Sequence, residues 1–254
     1  IFAGMSGPGP DVAEVTDLEL PDGDGGRFRM RVLRPAGTPQ SIIVYFHGGG
    51  WVIGDIDLQY DHVGRRLSNL TSSTVVLVNY RKAPEHRFPA AVDDSYAGLT
   101  WAAEHAAELA ADDAPLIVAG DSAGGNIAAV MTLWARDRSG PSIDYQALVY
   151  PVTDCDFDTP SYVDPENQLL LNRETMRWFC TNPDASPLRA ADHGGLPPAL
   201  VYVARYDPLH DEGVAYARAL AAAGVPVAVE EAPDQMHAFF QMADILPGYE
   251  EGIG

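Results

Sequence analysis

The chain has 254 residues, with 36 Asp or Glu against 16 Lys or Arg, and therefore a formal net charge of −20. A field of that sign repels phosphate backbones and anionic lipid, so nucleic acid and anionic membrane surfaces are excluded as expected partners. No apolar run approaches the roughly 18 residues that cross a bilayer, and residues 1–10 lack the basic start of a signal peptide. We therefore expect one cytoplasmic domain over residues 1–254, without membrane insertion.

The two cysteines, Cys155 and Cys180, are too few for a disulfide scaffold. No Cys-x-x-Cys pair and no Cys/His pair at zinc spacing occurs in the chain, so no metal site is predicted. The favoured interpretation is two small hydrophobic residues, and a disulfide between them is an open alternative.

The first elements of the chain alternate apolar and polar residues. Val12–Leu20 and Arg27–Leu33 flank Asp22–Gly26, which predicts an antiparallel hairpin. Apolar runs of strand length then alternate with helical patterns of ten or more residues, which implies parallel βαβ units. The predicted strands are Ser41–Phe46, Thr74–Asn79, Leu116–Ala119, Tyr145–Tyr150, Ala199–Ala204 and Val225–Glu230. The predicted helices are Gln59–Leu70, Ala90–Ala111, Gly124–Arg136 and Asp211–Ala223. Because these strands are continuously apolar, we expect an α/β fold whose mostly parallel sheet is covered by helices on both faces.

One region breaks this alternation. Asp154–Pro187 contains no strand pattern, and its one predicted helix is Gln168–Phe179. An irregular insertion between the strands of a compact sheet is often a lid. We therefore interpret 154–190 as a cap- or lid-like insertion.

The segment Gly120–Gly124 fits the pattern G-x-S-x-G between a predicted strand and a predicted helix. A serine on such a sharp turn is lifted clear of the sheet and lies at a helix N-terminus, where developing negative charge is stabilised. Ser122 is therefore the candidate nucleophile, with Asp121 as supporting residue of the motif. A glycine-rich helix cap is the alternative reading.

A serine nucleophile needs a base, and that base needs an orienting acid. In sheet enzymes of this type the chain order is Ser, then Asp or Glu, then His. His237 follows the last predicted strand, and Asp207 follows the strand Ala199–Ala204, so both lie at the end of the sheet that carries sites. The competing acids Asp211 and Glu212 are interpreted as charges in the first turn of the next helix. The competing base, His210, lies too close to Asp207 in the chain to reach Ser122 easily.

A loop of three glycines follows the strand that ends at Phe46. The backbone amides of Gly48, Gly49 and Gly50 can face a ligand and, with the amide of Ala123, form a predicted oxyanion hole. His47 is interpreted as a structural residue that orders this loop. For the substrate pocket the candidate walls are Trp51, Tyr80, Leu169 and Leu170, with an ordinary core role equally open for each.

These motifs carry a family resemblance. The His47–Trp51 loop, the Gly120–Gly125 turn, the order Ser122, Asp207, His237, and the stretches Tyr80–His86 and Asp207–Gly213 resemble the hormone-sensitive-lipase group of α/β-hydrolases, which includes bacterial carboxylesterases related to arylacetamide deacetylase. The resemblance implies the α/β-hydrolase fold, a bacterial origin, and hydrolysis of short- to medium-chain esters without a cofactor. It also implies that Gly49, with Gly48 or Gly50, and Ala123 supply the oxyanion donors. Fewer than a dozen residues precede Val12, so we expect a reduced or partly missing cap.

The sequence thus predicts a serine carboxylesterase acting on a small ester. An amidase or deacetylase with the same triad is the main alternative. A non-catalytic receptor, as the plant gibberellin receptors are on this fold, is disfavoured by the presence of His237. An interfacial lipase is disfavoured by the acidic composition. The sequence leaves monomer and homodimer open.

Overall fold

An eight-stranded sheet organises the part of the chain that the computed structural model describes, residues 7–180 and 186–242. The strands are β1 (Glu14–Pro21), β2 (Arg27–Arg34), β3 (Ile42–Phe46), β4 (Thr74–Asn79), β5 (Leu116–Asp121), β6 (Tyr145–Val149), β7 (Ala199–Tyr206) and β8 (Val227–Met236). Their order across the sheet is β1-β2-β4-β3-β5-β6-β7-β8. The β1–β2 and β2–β4 pairs are antiparallel, and every pair from β4 to β8 is parallel. The predicted α/β class is confirmed.

Helices cover both faces of this sheet because its strands are apolar on both. The helices are α1 (Tyr60–Thr71), α2 (Ala90–Glu104), α3 (Ala106–Leu109), α4 (Ala123–Asp137), α5 (Pro160–Val163), α6 (Arg173–Phe179) and α7 (His210–Ala222). Residues of α2, α4 and α7 share one core with Val44 and Phe46, while residues of α1 share the opposite core with Ile43 and Tyr45. Alternate residues of β3 thus pack into opposite cores, as the strand pleat requires.

Three predicted boundaries need correction. The helix predicted over Ala90–Ala111 is interrupted at His105, whose Nδ1 bonds the Trp101 carbonyl at 2.8 Å and separates α2 from α3. The helix predicted to begin at Gln168 begins at Arg173, because the Asn172 side chain accepts the Thr175 amide at 2.9 Å and caps it there. The last strand runs on to Met236 rather than ending at Glu230.

The strand directions bring the candidate residues to one edge of the sheet. The glycine loop follows β3. Ser122, Asp207 and His237 directly follow β5, β7 and β8. Because these four strands are parallel, their carboxyl ends meet at one edge. The topology therefore assembles a site from segments that are almost 200 residues apart in the chain.

The lid-like insertion packs over this edge with a small core of its own. Val152, Tyr162, Leu171, Met176, Cys180 and Leu209 form that core. Contrary to the favoured interpretation, Cys155 and Cys180 form a disulfide, with a Cα–Cα distance of 6.1 Å. The bond ties the end of α6 to the segment that follows β6. Residues 181–185 of the predicted 154–190 insertion lie outside the described residues.

Candidate active site

The candidate nucleophile occupies a strained turn. Ser122 has φ 55° and ψ −119°, a combination that non-glycine residues rarely adopt. The two flanking glycines have no room for side chains. A Cβ on Gly124 would lie 1.9 Å from the Phe46 carbonyl oxygen, and a Cβ on Gly120 would lie 2.4 Å from the Gly124 carbonyl oxygen. The Ser122 amide donates to the Val149 carbonyl at 2.9 Å, which ties the turn to the neighbouring strand. The turn therefore holds the hydroxyl at the start of α4.

A continuous hydrogen-bond chain joins the three predicted triad residues. His237 Nε2 lies 3.0 Å from Ser122 Oγ, and His237 Nδ1 lies 2.7 Å from Asp207 Oδ2. Asp207 is fully buried, and its other oxygen accepts the Leu209 amide at 2.9 Å. With Nδ1–H donating to the carboxylate, Nε2 carries the lone pair that the Ser122 hydroxyl can donate to.

The competing acid and base lie elsewhere. His210 contacts Asp211 of α7 at 3.1 Å and Glu231 of β8 at 3.0 Å. Glu212 was predicted to be a first-turn charge, yet it is only 2% exposed and accepts the Thr153 amide at 2.7 Å. Neither residue takes part in the chain from Ser122 to Asp207.

The glycine loop supplies two free amides rather than three. The Gly48 amide donates to Tyr60 Oη at 2.9 Å and to Asp121 Oδ1 at 3.1 Å, so the prediction of Gly48 as an oxyanion donor needs correction. Within the described ranges, the amides of Gly49, Gly50 and Ala123 donate to no protein group. Gly49 has φ 114° and Gly50 has φ 60°, left-handed values that turn the loop toward the pocket. Gly49, Gly50 and Ala123 are therefore the candidate oxyanion donors.

Asp121 fastens this loop to the nucleophile turn. It is fully buried and accepts hydrogen bonds from Tyr45 Oη at 2.8 Å, Tyr60 Oη at 3.0 Å and Gln241 Nε2 at 2.6 Å, besides the Gly48 amide. Burial raises the pKa of this carboxyl, and the four donors oppose that rise. Because Asp121 precedes Ser122 directly, these hydrogen bonds tie the glycine loop to the nucleophile turn.

His47 holds the other side of the loop. Its Nδ1 donates to the Gly48 carbonyl at 2.7 Å, and its ring stacks on Tyr80 with 4.2 Å between the centroids. Burial lowers the pKa of His47 to about 3, so the ring is neutral at neutral pH. This placement fits the predicted structural role.

The candidate pocket is an apolar cavity of about 230 Å³ beside Ser122. Of the four predicted walls, Trp51 and Leu170 line it. Two others need correction. Tyr80 stacks on His47, is buried and donates to the His47 carbonyl at 2.6 Å, and Leu169 is 52% exposed and does not line the cavity.

Sequence reasoning missed several lining residues. Val152, Met176 and Phe179 belong to the cavity wall, beside Leu171 of the predicted Leu169–Leu171 segment. Met176 and Phe179 lie three residues apart on α6, a helical spacing that was a signal for one shared face. The phenols Tyr45 and Tyr60 carry no motif that marks them as partners of Asp121.

Two classes of site are absent from the described residues. No group of three or more His, Cys, Asp or Glu side chains within them is placed to hold a metal ion. Nor is any described helix both long and apolar enough to span a bilayer.

The site combines a strained turn at Ser122, a hydrogen-bonded chain from Ser122 through His237 to Asp207, and free amides at Gly49, Gly50 and Ala123. On a mostly parallel sheet, these features define a serine hydrolase of the α/β-hydrolase class. Comparison with known proteins narrows the class. A family model described as the alpha/beta hydrolase fold matches residues 43–241. Carboxylesterase NlhH of Mycobacterium tuberculosis is 41% identical over 226 residues, which are 84% of this chain and 70% of that enzyme. Ethyl acetate hydrolase of Pseudomonas putida is 35% identical over 256 residues, which are 94% of this chain and 80% of that enzyme.

Solved structures agree. The hyperthermophilic esterase from the archaeon Pyrobaculum calidifontis superposes with a TM-score of 0.88 at 41% identity, covering 96% of this chain and 83% of that one. The chain belongs to the α/β-hydrolase family, in its hormone-sensitive-lipase-like group, and is a serine carboxylesterase.

Proposed function

We propose that the enzyme cleaves short- to medium-chain carboxylic esters through an acyl-enzyme formed on Ser122. The observation that carries this proposal is the 3.0 Å contact between Ser122 Oγ and His237 Nε2 at the floor of an apolar cavity. That cavity, about 230 Å³, is smaller than the 300–1,000 Å³ common for drug-sized ligands, which favours a small acyl group.

In the first half-reaction, His237 Nε2 takes the proton of the Ser122 hydroxyl as Oγ attacks the ester carbonyl carbon. Asp207, buried beside Nδ1–H, stabilises the imidazolium that forms. The amides of Gly49, Gly50 and Ala123 donate to the carbonyl oxygen as it becomes an oxyanion. Collapse of the tetrahedral intermediate expels the alcohol, which receives the proton from His237.

The second half-reaction repeats this route with water. His237 removes a proton from water, the hydroxide attacks the acyl carbon, and the same amides stabilise the second oxyanion. The carboxylic acid leaves as Ser122 Oγ recovers the proton. His237 must be neutral to accept the first proton.

The substrate preference is supported by two observations. The pocket wall is formed by Trp51, Val152, Leu170, Met176 and Phe179, which present hydrocarbon to the acyl chain. The curated relative from Pseudomonas putida is named for ethyl acetate, a two-carbon acyl ester. We infer that acyl chains of a few carbons are cleaved faster than long ones.

A series of p-nitrophenyl esters from acetate to palmitate, run beside Ser122→Ala, tests this proposal. We expect the highest kcat/KM on the short and medium chains, and a fall in kcat of about 10⁵–10⁶-fold in the variant. Activity that peaks on palmitate would overturn the chain-length proposal. Full activity of Ser122→Ala would overturn the assignment of the nucleophile.

The cytoplasmic location stays a prediction, and one observation weighs against it. Disulfides such as Cys155–Cys180 persist mainly in oxidising compartments. Fractionation of the producing cell, with thiol labelling of the recovered enzyme, decides between the two locations. Sedimentation of the purified chain decides between monomer and homodimer.

A further inference from the structure

The buried carboxylate Glu212 lies outside the triad and yet connects to it. It occupies the first turn of α7, five residues after Asp207. Its Oε1 accepts the amides of Thr153 at 2.7 Å and Asp154 at 3.3 Å, and its own carbonyl accepts the Thr153 hydroxyl at 2.7 Å. The Glu212 side chain is only 2% exposed, and because its oxygen accepts two backbone amides it fixes the backbone that carries them.

That backbone is the back wall of the active site, residues 150–154. The Tyr150 ring lies 4.7 Å from the His237 ring, centroid to centroid. The Val152 amide donates to the Ser122 carbonyl at 3.2 Å, and the Val152 side chain lines the cavity. The back wall thus touches the base, the nucleophile and the acyl pocket, and Glu212 holds its last residues.

The same carboxyl also faces the lid-like insertion. The buried hydroxyl of Tyr162 in α5 lies near Glu212, and the Asp154 carboxylate lies nearby as a like charge. Burial raises the pKa of Glu212 to about 8, so the carboxyl carries a proton at neutral pH. A protonated carboxyl still offers a carbonyl oxygen to the two amides, as a glutamine side chain does.

We propose that Glu212 is a positioning residue of the esterase: it holds the back wall, residues 150–154, in the place where Val152 supports Ser122 and Tyr150 supports His237. The inference rests on the proposed roles of Ser122 and His237. It assigns to Glu212 an effect on the chemical step that acts through the backbone of residues 150–154. This effect is separate from those of the triad and of the oxyanion amides.

Three substitutions separate the position of the acceptor oxygen from the ability of the side chain to ionise. Glu212→Gln keeps an oxygen in place and cannot ionise, Glu212→Asp withdraws the oxygens by one methylene, and Glu212→Ala removes them. The matched control is Gln146→Ala on β6, which removes another buried polar side chain, bonded to the Pro197 carbonyl at 3.0 Å and remote from the back wall. Active enzyme is counted by titration with a p-nitrophenyl phosphonate, and kcat and KM are measured on p-nitrophenyl butyrate.

We expect kcat of Glu212→Gln within about threefold of wild type. Glu212→Asp should lose about tenfold and Glu212→Ala up to about 100-fold in kcat, with a smaller change in KM, because a displacement near 1 Å costs that much. Gln146→Ala should lower Tm and leave kcat unchanged.

Two results would overturn the proposal: unchanged kcat per titrated site in Glu212→Asp and Glu212→Ala, or a loss in Glu212→Gln as large as in Glu212→Ala. If Glu212→Ala does not fold, the Gln and Asp variants decide between the outcomes. A wild-type enzyme inactive on the ester would refute the proposed function instead, so the two failures are distinguishable.

Discussion

The catalytic edge of the sheet and the lid-like insertion over it are held in different ways. At the edge, backbone hydrogen bonds between parallel strands fix Ser122, Asp207 and His237 at the ends of β5, β7 and β8. Within residues 154–180, short helices are held by side-chain contacts and by the Cys155–Cys180 bond, which links the two ends of this segment. The edge therefore depends on the fold as a whole, whereas the insertion depends on a few individual residues.

This difference separates chemistry from selectivity. Changes at the sheet edge should alter the rate of bond cleavage, because the proposed reacting groups lie there. Changes in the insertion should alter substrate fit or stability, because residues such as Leu170 and Met176 line the cavity and supply none of those groups. The predictions below test that division.

The largest effect is expected at the orienting acid. Asp207→Asn keeps the shape of the side chain but disfavours the His237 tautomer that accepts the serine proton, so kcat should fall by about 10⁴-fold. Steady-state kinetics on p-nitrophenyl butyrate measure it. Asp211→Asn, in the first turn of α7, is the control and should stay within about threefold. A larger loss in the control than in Asp207→Asn would show that Asp207 is not the orienting acid.

A smaller effect is expected where the oxyanion loop joins the nucleophile turn. Asp121→Asn turns an amide donor toward groups that themselves donate, so the loop carrying Gly49 and Gly50 should shift. We expect kcat to fall by about ten- to 100-fold. Removal of a whole oxyanion donor costs about 100- to 1000-fold, so the loss in Asp121→Asn should be the smaller one. Tyr45→Phe removes only one donor to Asp121 and should cost less than tenfold. Equal kcat in all three enzymes would contradict the role of Asp121.

The disulfide should matter for stability more than for rate. Cys155→Ser opens a link between residues 25 apart in sequence, which should lower the free energy of unfolding by about 3 kcal/mol. Urea denaturation measures the loss, and Cys180→Ser should give the same value. We expect kcat on the acetate ester to change less than threefold. A tenfold fall in kcat without loss of stability would contradict the division between edge and insertion.

Stability should depend on pH through Glu212. Its pKa is raised to about 8 by burial, while in the unfolded chain it ionises near its ordinary value of 4.5. The unfolded chain therefore loses its proton first, and stability falls as pH rises from about 5 to 8. In Glu212→Gln this loss is absent, so its Tm relative to wild type should rise by several degrees across that window (about 2–4 °C for each kcal/mol). A Tm difference that is constant with pH would contradict the raised pKa.

The smallest effect is expected at the pocket wall. Leu170→Ala should raise KM for the butyrate ester by about two- to tenfold, because Leu170 lines the cavity and loses methylene contacts with the acyl chain. Leu169→Ala is the matched control, since Leu169 is exposed and outside the cavity. Equal KM values for the two variants would contradict the assignment of Leu170 to the wall of the acyl pocket.

The sequence predicted the edge well and the insertion poorly, for physical reasons. Strand, turn and helix at Ser122 each leave a local signal, and parallel topology alone brings Asp207 and His237 to it. Gly48 was assigned to the oxyanion hole because three glycines look alike in sequence. Only the contacts with Tyr60 and Asp121 show that its amide is taken.

In the insertion the signals are weak or non-local. The helix start was misplaced because the cap at Asn172 competes with a continuous apolar pattern from Leu169 onward. Leu169 and Tyr80 were assigned to the pocket from position alone. The Cys155–Cys180 bond and the burial of Glu212 depend on distant segments packing together, which spacing along the chain does not record.

The central claim is that Ser122 carries the acyl group, and a covalent label tests it most directly. Incubation with a p-nitrophenyl alkylphosphonate, followed by peptide mass spectrometry, should find one phosphonyl group per chain on the peptide containing Ser122, with release of one equivalent of p-nitrophenol. Asp207→Asn should form the same adduct far more slowly. A stoichiometric adduct on any other residue, or full labelling of Ser122→Ala, would contradict the claim.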